Sequence, residues 1–119
     1  MYLRQEFGKF GESLACNYLR KNNYDIIENN FRCKQGEIDI IARDNKKNEL
    51  VFIEVKTRSN FHFGRPAQSV NFTKQNHLIN SSKYYLYKNN IKSIFIRFDI
   101  IEVFIKDYTF KINHIKQIF

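Results

Sequence analysis

The stretch Gly36 to Arg58, GEIDIIARDNKKNELVFIEVKTR, constrains the fold of this chain more than any other. Two runs rich in apolar and β-branched residues flank the polar turn Asn45-Lys46-Lys47-Asn48, and they read as two β-strands. The same runs carry Glu37, Asp39, Glu54 and Lys56 where a strand would rather hold apolar residues. A hairpin that spends core-forming positions on charge needs a physical reason for doing so.

Successive side chains of a strand point to opposite faces. Glu54 and Lys56 are therefore expected on one face with Phe52 and Arg58, and Val51, Ile53 and Val55 on the other. In the first strand, Glu37, Asp39, Ile41 and Arg43 are expected opposite Ile38, Ile40 and Ala42. A loop symmetric about Lys46-Lys47 sets Asp44 against Glu49, and counting back sets Asp39 against Glu54 and Glu37 against Lys56. Directly opposed residues have Cβ atoms about 4.5–5.5 Å apart. Two carboxylates would then meet beside a lysine, an arrangement that destabilises a sheet, and more so when buried. Mg²⁺ removes that penalty, since it takes oxygens from one or two carboxylates and keeps several waters. Held there, a cation can polarise a phosphoryl oxygen and acidify a water, with Lys56 stabilising charge on the phosphate or orienting the water. The alternative is a solvated hairpin face with Glu37 and Lys56 as a cross-strand ion pair.

The rest of the chain reads as walls around this hairpin. Phe7, Phe10, Leu14 and Tyr18 form a helical stripe over Phe7 to Lys21. Gly8 and Gly11 disfavour that helix but allow close approach of another backbone or a ligand. Glu12 follows them, suited either to the helix N-terminus or to the site. Tyr24 to Glu28 reads as a strand running on into Cys33. A loop from Ser59 to Arg65, with His62 and Gly64, precedes Pro66, which suits the first turn of a helix continuing to Tyr87. Val70, Leu78, Ser81 and Tyr85 share its inward stripe, and Lys74 falls on that stripe, snorkelling or reaching for an anion. Ile91 to Ile105 reads as a long strand, or two with a bend near Arg97-Phe98-Asp99. Lys106-Asp107 turns the chain into a last strand, Tyr108 to Ile115. His62, His77 and His114 are scattered and read as loop and packing residues. The order of elements indicates an α/β sandwich, a mixed sheet with helices packed on it.

With 119 residues, 43% of them hydrophobic, the chain suffices for one densely packed domain spanning residues 1–119 and is not disordered. Its 20 Lys and Arg against 12 Asp and Glu give a net charge of +8, which favours nucleic acid first and an anionic membrane second as partner. The abundance of Lys, Asn and Ile is also what AT-rich coding DNA produces. Cys16 and Cys33 lack the close ligand spacing of a structural zinc site, so they read as free thiols of a reducing cytosol. No apolar leader or membrane span is evident, and a cytoplasmic location is expected.

Asp39 followed by Glu54-Val55-Lys56 resembles the signature of PD-(D/E)xK nucleases, an acid and then acid-x-lysine on the next strand. FGKFGESLACNYL, NNFRCKQGEIDIIARD, VFIEVKTR, FGRP and RFDII together resemble the YraN-type family of small bacterial proteins, in order and over nearly the whole chain. That resemblance implies a restriction-endonuclease-like α/β/α core with a mixed sheet, similar to archaeal Holliday-junction resolvases. It implies Asp39 and Glu54 as ligands of Mg²⁺ or Mn²⁺, the Val55 carbonyl as a third ligand, Lys56 as catalytic lysine and Glu12 as an additional catalytic acid. Lys74 and Gln75 correspond to a polar position facing the site, and with Arg58 they are expected to meet nucleic acid, DNA foremost. The chain departs from the signature at Ile38, where proline is usual, and it shows no target-recognition region, which puts sequence specificity in doubt.

The expected function is a Mg²⁺-dependent endonuclease selective for branched or nicked DNA, with a homodimer compatible with it. The alternatives are a non-catalytic nucleic-acid-binding protein on the same fold, and an assembly factor using exposed aromatics such as Phe61, Phe63 or Tyr84.

Overall fold

The computed structural model describes residues 4–59 and 72–119. The loop expected after Ser59, the FGRP block and the helix start at Pro66 through Val70 lie outside the described residues. The described chain runs α1 (Arg4–Lys21), β1 (Tyr24–Cys33), β2 (Gly36–Asp44), β3 (Glu49–Arg58), α2 (Phe72–Lys88), β4 (Phe95–Lys106) and β5 (Thr109–Ile115). The strands form one sheet in the order β1-β2-β3-β4-β5. Among the described residues only β3 and β4 pair in parallel, with α2 lying between them in the chain, as a parallel connection requires.

The two helices cover opposite faces. Ala15, Cys16 and Leu19 of α1 pack on Ile40, Ala42, Val51, Ile53, Ile101 and Val103. Leu78 and Tyr85 of α2 pack on Phe31, Ile38, Ile41, Leu50, Phe52 and Phe98. The central strands are thus buried on both sides, which is why β3 and β4 read as almost continuous apolar runs. This is the α/β/α arrangement with a mixed sheet that the sequence indicated. Leu78, Ser81 and Tyr85 are buried as the helical stripe required. Of the two readings open for this region the single long strand holds, from Phe95, and there is no bend at Arg97-Phe98-Asp99, because β4 pairs with β3 without interruption from Glu49↔Phe95 to Arg58↔Phe104. The chain before it, residues 91–94, is not strand. Ser93 and Asn90 adopt positive φ values there, 57° and 55°, which interrupt an extended backbone.

The two helix glycines differ. A Cβ on Gly8 would meet nothing within 4 Å, whereas one on Gly11 would lie 2.9 Å from Thr57 Cβ and closer still to the rest of that side chain. Gly11 therefore sets the distance between α1 and β3 one residue before Glu12. Gly11→Ala is expected to cost about 1–3 kcal/mol of overpacking, measured by urea unfolding, with Thr57→Ala recovering part of the loss in the double variant.

At the end of the sheet where β3 and β4 begin, Arg97 organises a buried ion network. Its guanidinium donates to both Asp99 oxygens at 2.9 Å, to Asp44 and Glu49 at 2.9 Å each, and to the Tyr24 hydroxyl at 2.7 Å. Asp99 also meets His114 Nε2 at 2.7 Å and accepts the Gln117 N–H at 3.0 Å. His114 in turn meets the Tyr18 hydroxyl at 2.9 Å, so it is a satisfied interior histidine as the sequence reading held. Burial opposes charge on Arg97, yet its bonds to Asp99 and Asp44 raise its pKa. Burial pushes the Tyr24 hydroxyl up to about 12.

Candidate functional site

The hairpin begins as expected, with Asp44 opposite Glu49, and the ladder runs back through Ala42↔Val51 to Ile40↔Ile53. There it stops. Beyond Ile40 the Asp39 carboxylate takes over, its Oδ2 accepting the Val55 N–H at 2.8 Å. A side chain thus occupies the place of a strand carbonyl, and the strict alternation of β2 breaks at that point. Ile38 and Ile41 both pack toward α2, while Ile40 and Ala42 pack toward α1. The expected single face for Glu37, Asp39 and Ile41 and the opposition of Glu37 to Lys56 are therefore corrected. Glu37 instead pairs with Arg32 of β1 at 3.4 Å, and Lys56 with Glu54 at 3.1 Å.

Asp39 and Val55 stand between two clefts. One, of about 690 Å³, lies on the α1 side and is lined by Glu12, Glu37, Asp39, Val55 and Lys56, with Lys9 and Arg32 at its wall. The other, of about 390 Å³, lies on the α2 side and is lined by Asp39, Glu54, Val55, Lys74 and His77. Glu54 and Lys56 alternate about Val55, and Glu54 reaches α2, where Lys74 Nζ joins Lys56 Nζ on the same oxygen, Oε1. Lys74 thus reaches for an anion, the second of the two roles open to it from sequence.

Burial is the main cause of the electrostatic strain. It lifts Asp39 from 3.8 to about 6, helped by the nearby charges of Glu12, Glu54 and Glu37 and opposed by the Val55 N–H. Burial likewise raises Glu12, with Glu37 adding to it and a hydrogen bond from Asn30 acting against it. Lys56 is lowered, by burial first and then by Lys74 beside it. Burial works against the Lys74 ammonium, but its bond to Glu54 holds its pKa above the ordinary value.

The expected site residues are placed as follows. Asp39, Val55, Lys56 and Glu12 line the α1-side cleft, and Asp39, Val55, Glu54 and Lys74 the α2-side one, with Lys56 and Lys74 joined through Glu54. Arg58 is turned toward β4, where its guanidinium holds buried Glu102 at 3.2 Å. Gln75, next to Lys74 on α2, is not among the residues lining the two clefts. His77, read as a packing residue from sequence, lines the α2-side cleft and is exposed. Its spacing of three from Lys74 on a helix was the available signal. Lys9 and Arg32 were also missed, because the pairing of β1 with β2 brings Arg32 across from Glu37.

Among the described residues, no group of three or more His, Cys, Asp or Glu is gathered as a metal cage. The Asp39 and Glu54 carboxylates line the α2-side cleft on either side of Val55, hard oxygen ligands of the kind and number that suit Mg²⁺ with its retained waters. Burial first, and then the charges of Glu12, Glu54 and Glu37, penalise the Asp39 carboxylate, a penalty that a bound divalent cation would offset. The residues present fit a divalent cation.

Fold and site together define an α/β/α domain with an acid on one strand and acid-x-lysine on the next. A family model described as "Uncharacterised protein family UPF0102" matches residues 11–103, and the chain belongs to that family. It is 47% identical over 115 residues to a UPF0102 protein of Clostridioides difficile, covering 97% of each chain. It is 45% identical over 121 residues to one of Clostridium botulinum, covering 99% of this chain and 97% of the other. A third, from Caldicellulosiruptor bescii, is 46% identical over 118 residues, covering 97% and 98%. Among the described residues, no helix is long and apolar enough to cross a membrane.

Proposed function

We propose that this protein is a divalent-metal-dependent nuclease that hydrolyses DNA phosphodiester bonds, with branched or nicked DNA as its substrate form. The observation that carries the proposal is the meeting of Asp39, Glu54 and Lys56 around Val55, with Asp39 held at high electrostatic cost. Groups strained in this way gather at functional sites.

In this reading Asp39, Glu54 and the Val55 carbonyl hold Mg²⁺ or Mn²⁺. Bound there, the ion supplies Lewis acidity to a phosphoryl oxygen and a water that loses its proton near neutrality. Asp39 is kept in place by the Val55 N–H, which engages one of its two oxygens. Lys56 brings a positive charge to the attacked phosphate, where fixed charge in a poorly solvated site is worth most. Its lowered pKa also lets it give or take a proton more readily than an exposed lysine. Glu12 faces the same cleft with its pKa raised, as suits a group that relays a proton from the water. Lys9 and Arg32, at the wall of that cleft, offer cations to flanking phosphates.

Calorimetric titration tests the first half of this reading. Mg²⁺ or Mn²⁺ is expected to bind the wild type with one dominant site and to lose at least about tenfold in affinity in Asp39→Ala. Equal binding by both would remove Asp39 from the site. The second reading is a nucleic-acid-binding protein without cleavage, supported by the +8 charge alone. It is distinguished by binding that persists in chelator, weakens steeply with salt and survives Glu54→Ala.

A further inference from the structure

We propose that Lys74 is a displaceable counter-ion: it holds Glu54 while no metal is bound, and metal binding hands its ammonium over to a substrate phosphate. The proposal rests on the metal-dependent reading of this site and adds to it a coupling between metal and nucleic acid.

Glu54 Oε1 carries two ammonium groups from different elements, Lys56 Nζ at 3.1 Å from its own strand and Lys74 Nζ from α2. One carboxylate cannot neutralise two ammonium ions, so the lysines repel each other across the oxygen they share. A divalent cation on Glu54 makes that crowding untenable, and although Lys74 lies the closer of the two to Oε1, the ammonium with room to move gives way. Lys56 is confined, with its side chain 22% exposed and its backbone in a central strand. Lys74 is 42% exposed, on a long side chain reaching in from a helix, and has the α2-side cleft to move into. That cleft also holds His77 and opens beside Asp39.

The exchange makes two events reciprocal. Metal binding turns an occupied ammonium toward the cleft, where a backbone phosphate can take it. Phosphate binding draws Lys74 from Glu54 and bares the oxygen for metal. Each ligand then raises the affinity for the other by the same factor, as linkage demands. The device keeps the acidic site neutralised between substrates and assembles it only when both are present.

The test uses selective acetylation of lysines read by mass spectrometry, with calorimetry alongside. Ca²⁺, expected to bind without supporting cleavage, serves as probe together with Mg²⁺. Saturating metal is expected to raise the labelling rate of Lys74 several-fold in the wild type while leaving Lys83 and Lys88 on the same helix unchanged. Glu54→Gln is expected to show the raised Lys74 rate without metal. In Lys74→Met, metal affinity without DNA is expected to rise about tenfold, and the metal-induced gain in binding to a short DNA duplex is expected to vanish. If the wild type binds metal but Lys74 labelling does not change, the exchange is overturned while the metal site stands. If calorimetry shows no metal binding in wild type or Lys74→Met, the underlying metal reading itself falls.

Discussion

Asp39→Asn is expected to make the protein more stable in chelator and indifferent to Mg²⁺. Burial first, and then Glu12, Glu54 and Glu37, lift the Asp39 carboxyl from 3.8 to about 6. A carboxyl with a raised folded pKa binds its proton more tightly folded than unfolded, so ionising it costs stability. Its contribution falls as pH rises from about 4 to about 6 and stays low above that. A shift of this size corresponds to roughly 3 kcal/mol, reduced to about 2 by solvent screening of a group that is not fully buried. Asparagine carries no charge, and its side-chain oxygen can still accept the Val55 N–H. Urea unfolding at neutral pH in chelator should therefore favour the variant by about 1–2 kcal/mol, with the difference closing near pH 4. Saturating Mg²⁺ should reverse the order, because only the wild type gains, by about 2.7 kcal/mol at a hundredfold excess over Kd. A variant less stable than wild type in chelator at neutral pH would contradict the strained-carboxylate account.

Arg97→Met should be the most damaging single change outside the site. It leaves Asp99, 0% exposed, and Asp44, 3% exposed, inside the protein without their cation. Breaking a buried pair from one side costs about 3–5 kcal/mol, against a total of about 5–15 kcal/mol for a domain. Burial opposes ionisation of both acids, but hydrogen bonds hold their pKa values below 3.8, from His114 and Arg97 on Asp99 and from Arg97 on Asp44. Their stabilisation is thus present above that value in the wild type and is lost as pH falls through the depressed folded values. Without Arg97 only the bonds from His114 and Gln117 on Asp99 and from the Lys46 and Lys47 N–H groups on Asp44 still oppose burial, so the loss of stability on acidification should be smaller than in the wild type. Denaturation at several pH values reads both effects. Arg97→Met with Asp99→Asn should recover part of the loss, since one orphaned charge is gone.

Much of this arrangement was legible because the hairpin carried its own geometry. The Asp44–Glu49 pairing followed from the turn, and Lys74 followed from helical spacing. What could not be read was the end of the ladder. A register counted from the turn assumes that backbone pairing continues, and here the Asp39 side chain replaces it. That substitution brings a carboxylate to the β3 backbone, shifts Ile38 to the α2 side and gives Glu37 to Arg32 rather than Lys56. The Arg97 network was equally hidden, because its members lie on β1, β2, β3 and β4 and only the sheet order unites them. Arg58 looked like a cation for nucleic acid until the parallel pairing of β3 with β4 brought it near Glu102.

The central claim is that the acids and lysine around Val55 cut nucleic acid with a divalent metal. The most direct measurement is a cleavage panel of linear, nicked and branched DNA with purified wild type, Lys56→Ala and Glu54→Gln, in Mg²⁺, Mn²⁺ and chelator. The account predicts cleavage by wild type in metal only, strongest on branched or nicked DNA, and a loss of at least about a hundredfold in either variant. Wild type that leaves every DNA form intact in both metals, or cleavage undiminished in Lys56→Ala, would contradict it.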